Sequence, residues 1–156
     1  MNRLSDIHIR TNYRGGDIGY ITYMHGDFYD FGREFEIYVA ETLADFYQNL
    51  DERKERFWVA EDQGKIIGTI ALKDTDGLAQ LRYFLIDPAY RGLGLGNQLL
   101  QLFLDFMKEC GYKRSFLVTE KQLETAKYLY GKLGYEYVSS SETDFGLVEM
   151  RYEMTL

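Results

Sequence analysis

The sequence predicts one domain of the α/β class, α+β in type, over residues 1–156. Three observations predict it. Segments of strand period and of helix period succeed one another in the order β-α-α-β-β-β-α-β-α-β-β. The turn signals Gln63-Gly64 and Asp76-Gly77 join neighbouring strands into hairpins. A glycine-rich turn leads from a strand straight into a long helix. A chain of 156 residues can bury one sizeable core, and no repeat, low-complexity segment or linker divides it.

Ile7 to Arg14 places Ile7, Ile9, Thr11 and Tyr13 on one side and polar residues on the other, which is strand period. Gly15-Gly16 breaks it, and Asp17 is placed as a helix N-cap because its carboxylate can accept from the free amides of a first turn. Ile18, Ile21, His25 and Phe28 follow at helical spacing. A second helix begins near Glu34, with the stripe Phe35, Val39, Leu43, Phe46 and Leu50. Phe57 to Ala60 reads as a strand, Gln63-Gly64 turns it, and Lys65 to Leu72 returns. Asp76-Gly77 turns the chain again into the strand Leu78 to Ile86. Pro88 ends that strand, having no amide proton for a ladder. Gly94 to Cys110 is a helix apolar on much of its circumference, closed by Gly111. Ser115 to Thr119 is a short apolar strand, a helix runs from about Gln122 to Leu133 with Gly134 as its cap, and Tyr135 to Ser139 and Leu147 to Met154 are the last strands.

Composition narrows the function classes. The formal net charge of −7 argues against a nucleic-acid partner, which would select a basic face. The same acidity either draws cationic substrates or serves solubility alone. The single cysteine, Cys110, permits no intrachain disulfide and fits a reducing cytoplasm; its place late in an apolar helix marks it as buried filler. No apolar run approaches the ~20 residues of a membrane span, so no membrane partner is expected. The first residues, Met-Asn-Arg-Leu-Ser-Asp, hold no apolar core for a secretory signal. Two histidines and one cysteine cannot build a Cys-rich zinc site, so no metal is expected.

The informative stretch is Phe84-Leu85-Ile86-Asp87-Pro88-Ala89-Tyr90-Arg91-Gly92-Leu93-Gly94-Leu95-Gly96. A strand feeds a glycine-rich turn that opens a helix. A helix's first turn has free amides and a partial positive charge, so it can take an anion. Glycine lets the backbone come close to a phosphate, and Arg91 adds a cation. A dinucleotide fingerprint fails on spacing, since its last glycine would fall on Asn97 or Leu99. A Walker loop fails because no Gly-Lys-Ser/Thr follows.

This segment resembles the Arg/Gln-x-x-Gly-x-Gly/Ala signature of the GNAT superfamily of N-acetyltransferases, matched by Arg91, Gly94 and Gly96. A second block, Ala126 to Tyr135, is similar to that family's Ala-x-x-x-Tyr-x-x-x-Gly-Phe pattern, with Tyr135 in place of Phe. The resemblance covers nearly the whole chain. It implies a GNAT fold: a central mixed, mostly antiparallel seven-stranded sheet flanked by about four helices. A closer resemblance, through Asn12 to Gly19, His25-Gly26, Phe35 to Ala40 and Gln80 to Leu85, is to the acetyltransferase half of bacterial proteins that fuse a MarR-type DNA-binding module to a GNAT domain. The 156 residues leave no room for the DNA-binding half, so only the transferase activity is implied.

The resemblance also implies direct transfer of acetyl from acetyl-CoA to the amine of a small molecule or a protein. The backbone of Phe84, Leu85 and Ile86 would line the pantetheine arm, and the amides of Gly92, Leu93, Gly94, Leu95, Gly96 and Asn97 would hold the pyrophosphate beside Arg91. Tyr130 aligns with the family's general acid: a phenol of pKa ~10 stays protonated at neutral pH and can donate to a thiolate whose conjugate acid has pKa ~8.5. Some members carry a glutamate base where this chain has Gln80, which cannot take a proton. His25, Glu36 and Glu120 are the candidates in its place, and His25, on an apolar helix face, also reads as a structural histidine. A catalytically weak acyl-CoA-binding sensor is the competing function. Acceptor specificity is expected in the helices between Asp17 and Leu50 and in a loop at Ser139 to Asp144. A homodimer is left open.

Overall fold

The computed structural model describes residues 3–120 and 124–156. Seven strands run in chain order as β1 (His8–Arg10), β2 (Arg56–Asp62), β3 (Lys65–Thr75), β4 (Leu78–Ile86), β5 (Arg114–Glu120), β6 (Glu136–Glu142) and β7 (Val148–Thr155). The helices are α1 (Asp17–Tyr29), α2 (Arg33–Gln48), α3 (Leu95–Glu109) and α4 (Glu124–Lys132). The expected start of the last helix at Gln122 lies outside the described residues.

All seven strands form one sheet in the order β1-β2-β3-β4-β5-β7-β6. Every pairing is antiparallel except β4 with β5. The chain can turn straight back at Gln63-Gly64 and Asp76-Gly77, where both residues of each pair have positive φ (50° and 83°; 54° and 84°). Those angles match the twist of the flanking strands. The parallel step needs a crossover, and α3 supplies it.

Helices cover both faces of the sheet. On one side α3 packs Leu95, Leu99, Leu100, Phe103 and Met107 against Ile70, Leu72 and Leu81. On the other side α1 and α2 bury Ile21, Met24, Phe35, Val39, Leu43 and Phe46 against Phe57, Val59 and Ala71. The β2 strand therefore reads as an unbroken apolar run: Phe57 and Val59 face α1 and α2, while Trp58 and Ala60 face α3.

Several expectations change. The first strand is three residues long and does not reach Arg14, and Tyr13 is 47% exposed. Its supposedly solvent side carries Arg10, which is 5% exposed and donates to Asp17 at 2.8 Å and to Glu61 at 2.9 Å. Asp17 does not cap α1. Gly16 occupies that position, with φ 94°, and the Asp17 carboxylate instead accepts from Arg10 and from the backbone amide of Arg14. A buried cation on a three-residue strand defeats a pattern that equates polar with outward. Cys110 is only partly buried, with its thiol 3.5 Å from the Arg53 carbonyl. The Ser139–Asp144 segment is strand β6 as far as Glu142, an edge strand exposed along its length.

Candidate active site

The site begins with an irregularity in β4. Its burial alternates cleanly along the strand, yet Ala79 and Leu81 pack on the α3 side while Tyr83 and Leu85 pack on the α1–α2 side. A period of two alone would keep them all on one face. A bulge reconciles the two observations: Thr69 pairs with Leu85 and Ala71 with Arg82, so β4 holds one residue more than β3 over this stretch. Tyr83 sits in it with φ 52°, the one positive-φ non-glycine residue inside a described strand. That conformation is costly for a bulky side chain and persists only when its surroundings hold it. Three bonds do so. Thr69 Oγ1 donates to the Tyr83 carbonyl at 2.6 Å, the Tyr83 hydroxyl donates to Thr42 Oγ1 at 2.8 Å, and the Tyr29 hydroxyl donates to the Phe84 carbonyl at 2.9 Å.

At the bulge β4 and β5 part. They pair only from Ala79 with Ser115 to Leu81 with Leu117. Beyond that β4 stays with β3 as far as Ile86, and β5 stays with β7 as far as Glu120 opposite Glu149. The sheet opens into a wedge, and the split comes several residues before Pro88, which follows the strand in a short 3-10 turn. The edge of β4 from Arg82 to Ile86 that faces β5 has no strand partner among the described residues, so an extended ligand can lie along it.

Tyr130 lines the wedge from α4 and is 4% exposed. Burial pushes its phenol well above the usual tyrosine range, and the nearby Tyr29, Tyr135 and Glu120 add to the shift. The neighbouring hydroxyls are committed, Tyr29 to the Phe84 carbonyl and Tyr135 to Ser115 at 2.7 Å. The Tyr130 ring packs beside those of Phe84, Tyr135 and Tyr152, with centroids 6.1, 6.0 and 6.4 Å away. His25 lines the same wedge and is fully buried. Its Nδ1 donates to the Ile21 carbonyl at 2.8 Å, and burial lowers its pKa to about 4, so the ring is neutral. Gln80 lines it too, with Oε1 accepting from Thr75 at 2.8 Å. Glu120 is at the wedge; Glu36 is exposed on α2 and outside it.

The glycine-rich turn lies beyond the strand's end. Gly92 and Gly94 have φ of 80° and 89°, and the space a side chain would fill is open at Gly92 and bounded only by Leu4 at Gly94. Gly94 occupies the N-cap of α3 and offers no side chain, so the first-turn amides of Leu95, Gly96 and Asn97 are left for another acceptor. Arg91 and Asn97 are exposed beside them. Gly96 has a different reason to be glycine. A Cβ there would stand 3.2 Å from Ile86, 3.3 Å from Leu129 and 3.6 Å from Phe84, so its smallness seats α3 against β4 and α4. Leu95 is core, 1% exposed, and Leu93 packs against the same cluster.

Two residues of the wedge escape the sequence reading. Tyr29 lies one turn after His25 on the helical stripe, which is a usable signal. Glu149 becomes visible only with the register of β7 on β5. No described helix is long and apolar enough to cross a membrane, and no cluster of potential metal ligands occurs among the described residues.

Known proteins are similar to this chain in sequence and in fold. The chain is 28% identical to the uncharacterized N-acetyltransferase YjgM of Escherichia coli over 116 residues, which is 72% of this chain and 70% of that protein. It is 32% identical to N-acetyltransferase 8 of Rattus norvegicus over 124 residues, 72% of this chain but only 56% of that one. The chain thus spans little more than half of the rat relative. Among solved structures, an acetyltransferase from Streptococcus agalactiae superposes over 98% of this chain and 100% of its own, with a TM-score of 0.79 at 21% identity. A GNAT family acetyltransferase from Elizabethkingia anophelis with acetyl-CoA bound superposes over 97% and 99%, with a TM-score of 0.70 at 20% identity. Identities this low show a common fold and nothing finer. The model of the acetyltransferase (GNAT) family matches residues 22–135, from α1 through the wedge and the glycine-rich turn to the end of α4. The split sheet, the uncapped helix and this match agree: the chain belongs to the acetyltransferase (GNAT) family.

Proposed function

We propose that this acetyltransferase binds acetyl-CoA across the wedge and the α3 N-terminus, and passes the acetyl group directly to a primary amine of a small molecule or a protein. Four groups support this reading. The uncapped amides of Leu95, Gly96 and Asn97, with Arg91 beside them, suit the pyrophosphate. The open space at Gly92 and Gly94 lets a phosphate approach the backbone. The edge of β4 at Phe84, Leu85 and Ile86, which β5 does not pair, suits the amide-bearing pantetheine arm. Tyr130 then stands where the thioester would end.

The chemistry follows from these positions. The neutral amine attacks the thioester carbon, a C–N bond forms, and the carbonyl electrons move to oxygen. Collapse restores the carbonyl, breaks the C–S bond and releases a thiolate. Tyr130 donates its proton to that sulfur and is reprotonated from the new N–H. Burial raises the phenol, but the thiolate leaves into the same desolvated wedge, where its own charge is equally disfavoured.

The single observation that carries the reading is the split between β4 and β5, with the Tyr130 side chain, 4% exposed, lining the wedge that it opens. The experiment is calorimetric titration with acetyl-CoA. Arg91→Ala is expected to weaken binding by about tenfold, about 1.4 kcal/mol, without changing Tm, because Arg91 is exposed. Unchanged affinity would contradict the phosphate site.

The sensor reading draws on Gln80, which cannot act as a base and is bonded to Thr75. Tight acetyl-CoA binding without thiol release for any amine would favour it. The closer kinship with MarR-fused acetyltransferase halves rests on sequence segments such as Asn12 to Gly19 and Gln80 to Leu85 alone. A homodimer would form most simply by pairing along the exposed edge strand β6.

A further inference from the structure

The amine must lose a proton before its nitrogen can attack, and Gln80 cannot take one. Two carboxylates of the wedge have no part in the chemistry above. Glu120 on β5 and Glu149 on β7 are direct cross-strand partners, and both line the wedge. Like charges in that position repel. The nearest cation along β7, Arg151, turns away to Glu153 at 2.8 Å, and neither Glu120 nor Glu149 makes an ion pair among the described residues. Burial raises both carboxyls above their usual range, and the charge of Glu149 raises Glu120 further.

An acidic pair alone does not define a binding site. The independent observation is His25. Its Nδ1–H is spent on the Ile21 carbonyl, so Nε2 holds only a lone pair. That Nε2 is buried and has no partner among the described residues, in a residue 3% exposed that lines the same wedge. An acceptor in this position needs a donor delivered from the wedge. The cation nearby does not supply it: Arg82 donates to the Tyr38 hydroxyl at 3.0 Å and stands over the rings of Tyr38 and Tyr83. Two carboxylates and a bare imidazole nitrogen together suit one kind of group, a cation with several N–H donors.

We propose that Glu120 and Glu149 form the acceptor-amine site: a protonated primary amine docks between them, His25 Nε2 accepts an N–H directly or through a water, and the pair takes the proton that frees the nitrogen lone pair. The step balances. R–NH3+ and one carboxylate become R–NH2 and one carboxylic acid, the amine then forms the C–N bond as above, and the acid returns its proton to solvent. The site rests on the acetyl-transfer reading and gives it a substrate class, amines that are cationic at neutral pH. Among the described residues the other charged or titratable groups lining the wedge are Arg82 and Tyr83 from β4, His25 and Tyr29 from α1, Tyr38 from α2 and Tyr130 from α4. Of these, Arg82 acts to lower Glu149.

The test is thiol release from acetyl-CoA by the full chain, with alkylamines (2-phenylethylamine, putrescine, lysine methyl ester) and with aniline, which is neutral at pH 7. The wild type is expected to prefer an alkylamine. Glu120→Gln is expected to lower kcat/KM for it by about 10²-fold and to remove the acidic limb of its pH profile, with little change for aniline and unchanged acetyl-CoA affinity. Glu149→Gln is expected to act mainly through KM. If Glu120→Gln does not fold, Glu120→Asp is expected to keep the acidic limb and lose rate. Wild-type rates and an unaltered pH profile in the folded Gln variants, or a preference for aniline over every alkylamine, would overturn this site while leaving acetyl transfer standing. A wild type that releases no thiol with any amine would overturn the acetyl-transfer reading and this site with it.

Discussion

The hydroxyl of Thr69 donates to the carbonyl of Tyr83 at 2.6 Å, both groups buried, at the residue where β4 leaves β5. The bond ties a strained positive-φ tyrosine to the neighbouring strand on one side and so helps hold the wedge open on the other. Thr69→Val keeps the side chain's shape and removes the donor. A buried carbonyl left short of a partner costs about 1–3 kcal/mol, so unfolding in urea is expected at lower midpoint by that amount. An unchanged midpoint would mean that the bulge holds itself.

The buried network at the first strand makes a second prediction. Arg10 is held by Asp17 and Glu61, which push its already high pKa further up, and all three side chains are nearly inaccessible. Breaking such a pair strands a charge. Asp17→Ala is expected to cost about 3 kcal/mol, the low end for a buried pair because Glu61 remains, as read by thermal unfolding.

His25 predicts a pH dependence of stability. Its folded pKa is depressed from 6.5 to about 4 by burial. The group therefore contributes fully above pH 6.5, where it is neutral in both states, and its contribution is lost as pH falls through the folded value, because the unfolded chain binds a proton first. The loss amounts to about 3 kcal/mol. In His25→Gln that component is absent, so the gap in unfolding free energy between wild type and variant is expected to narrow between pH 6.5 and 4. Parallel curves over that range would contradict a neutral buried imidazole.

Much of this molecule is legible in its sequence, for reasons that can be named. The α2 stripe of Phe35, Val39, Leu43 and Phe46 is buried as its period requires, and Leu50 packs at its edge. Gln63-Gly64 and Asp76-Gly77 form their tight turns because the backbone angles there suit those residues. What escapes is set by tertiary partners. Nothing local says that Arg10 points inward, since its reasons are Asp17 and Glu61, the second of them 51 residues away. The bulge at Tyr83 is hidden because burial alternates through it unbroken, although the face changes. Gly96 sits in a motif read as phosphate-binding, while its smallness answers to Ile86 and Leu129. Glu149 joins the site only through strand register.

The same geometry shows why glycine replacements are poor probes of the phosphate site. Gly94 has φ 89°, so valine there would strain the backbone whatever it did to a ligand. The hydroxyl of Tyr130 can be removed without that confusion. The most direct test of the account is the turnover number of Tyr130→Phe for thiol release from acetyl-CoA with an alkylamine, taken on protein whose Tm with acetyl-CoA matches the wild type. A fall of about 10²-fold is expected, the low end for loss of a general acid. Full activity in that stable variant would contradict it.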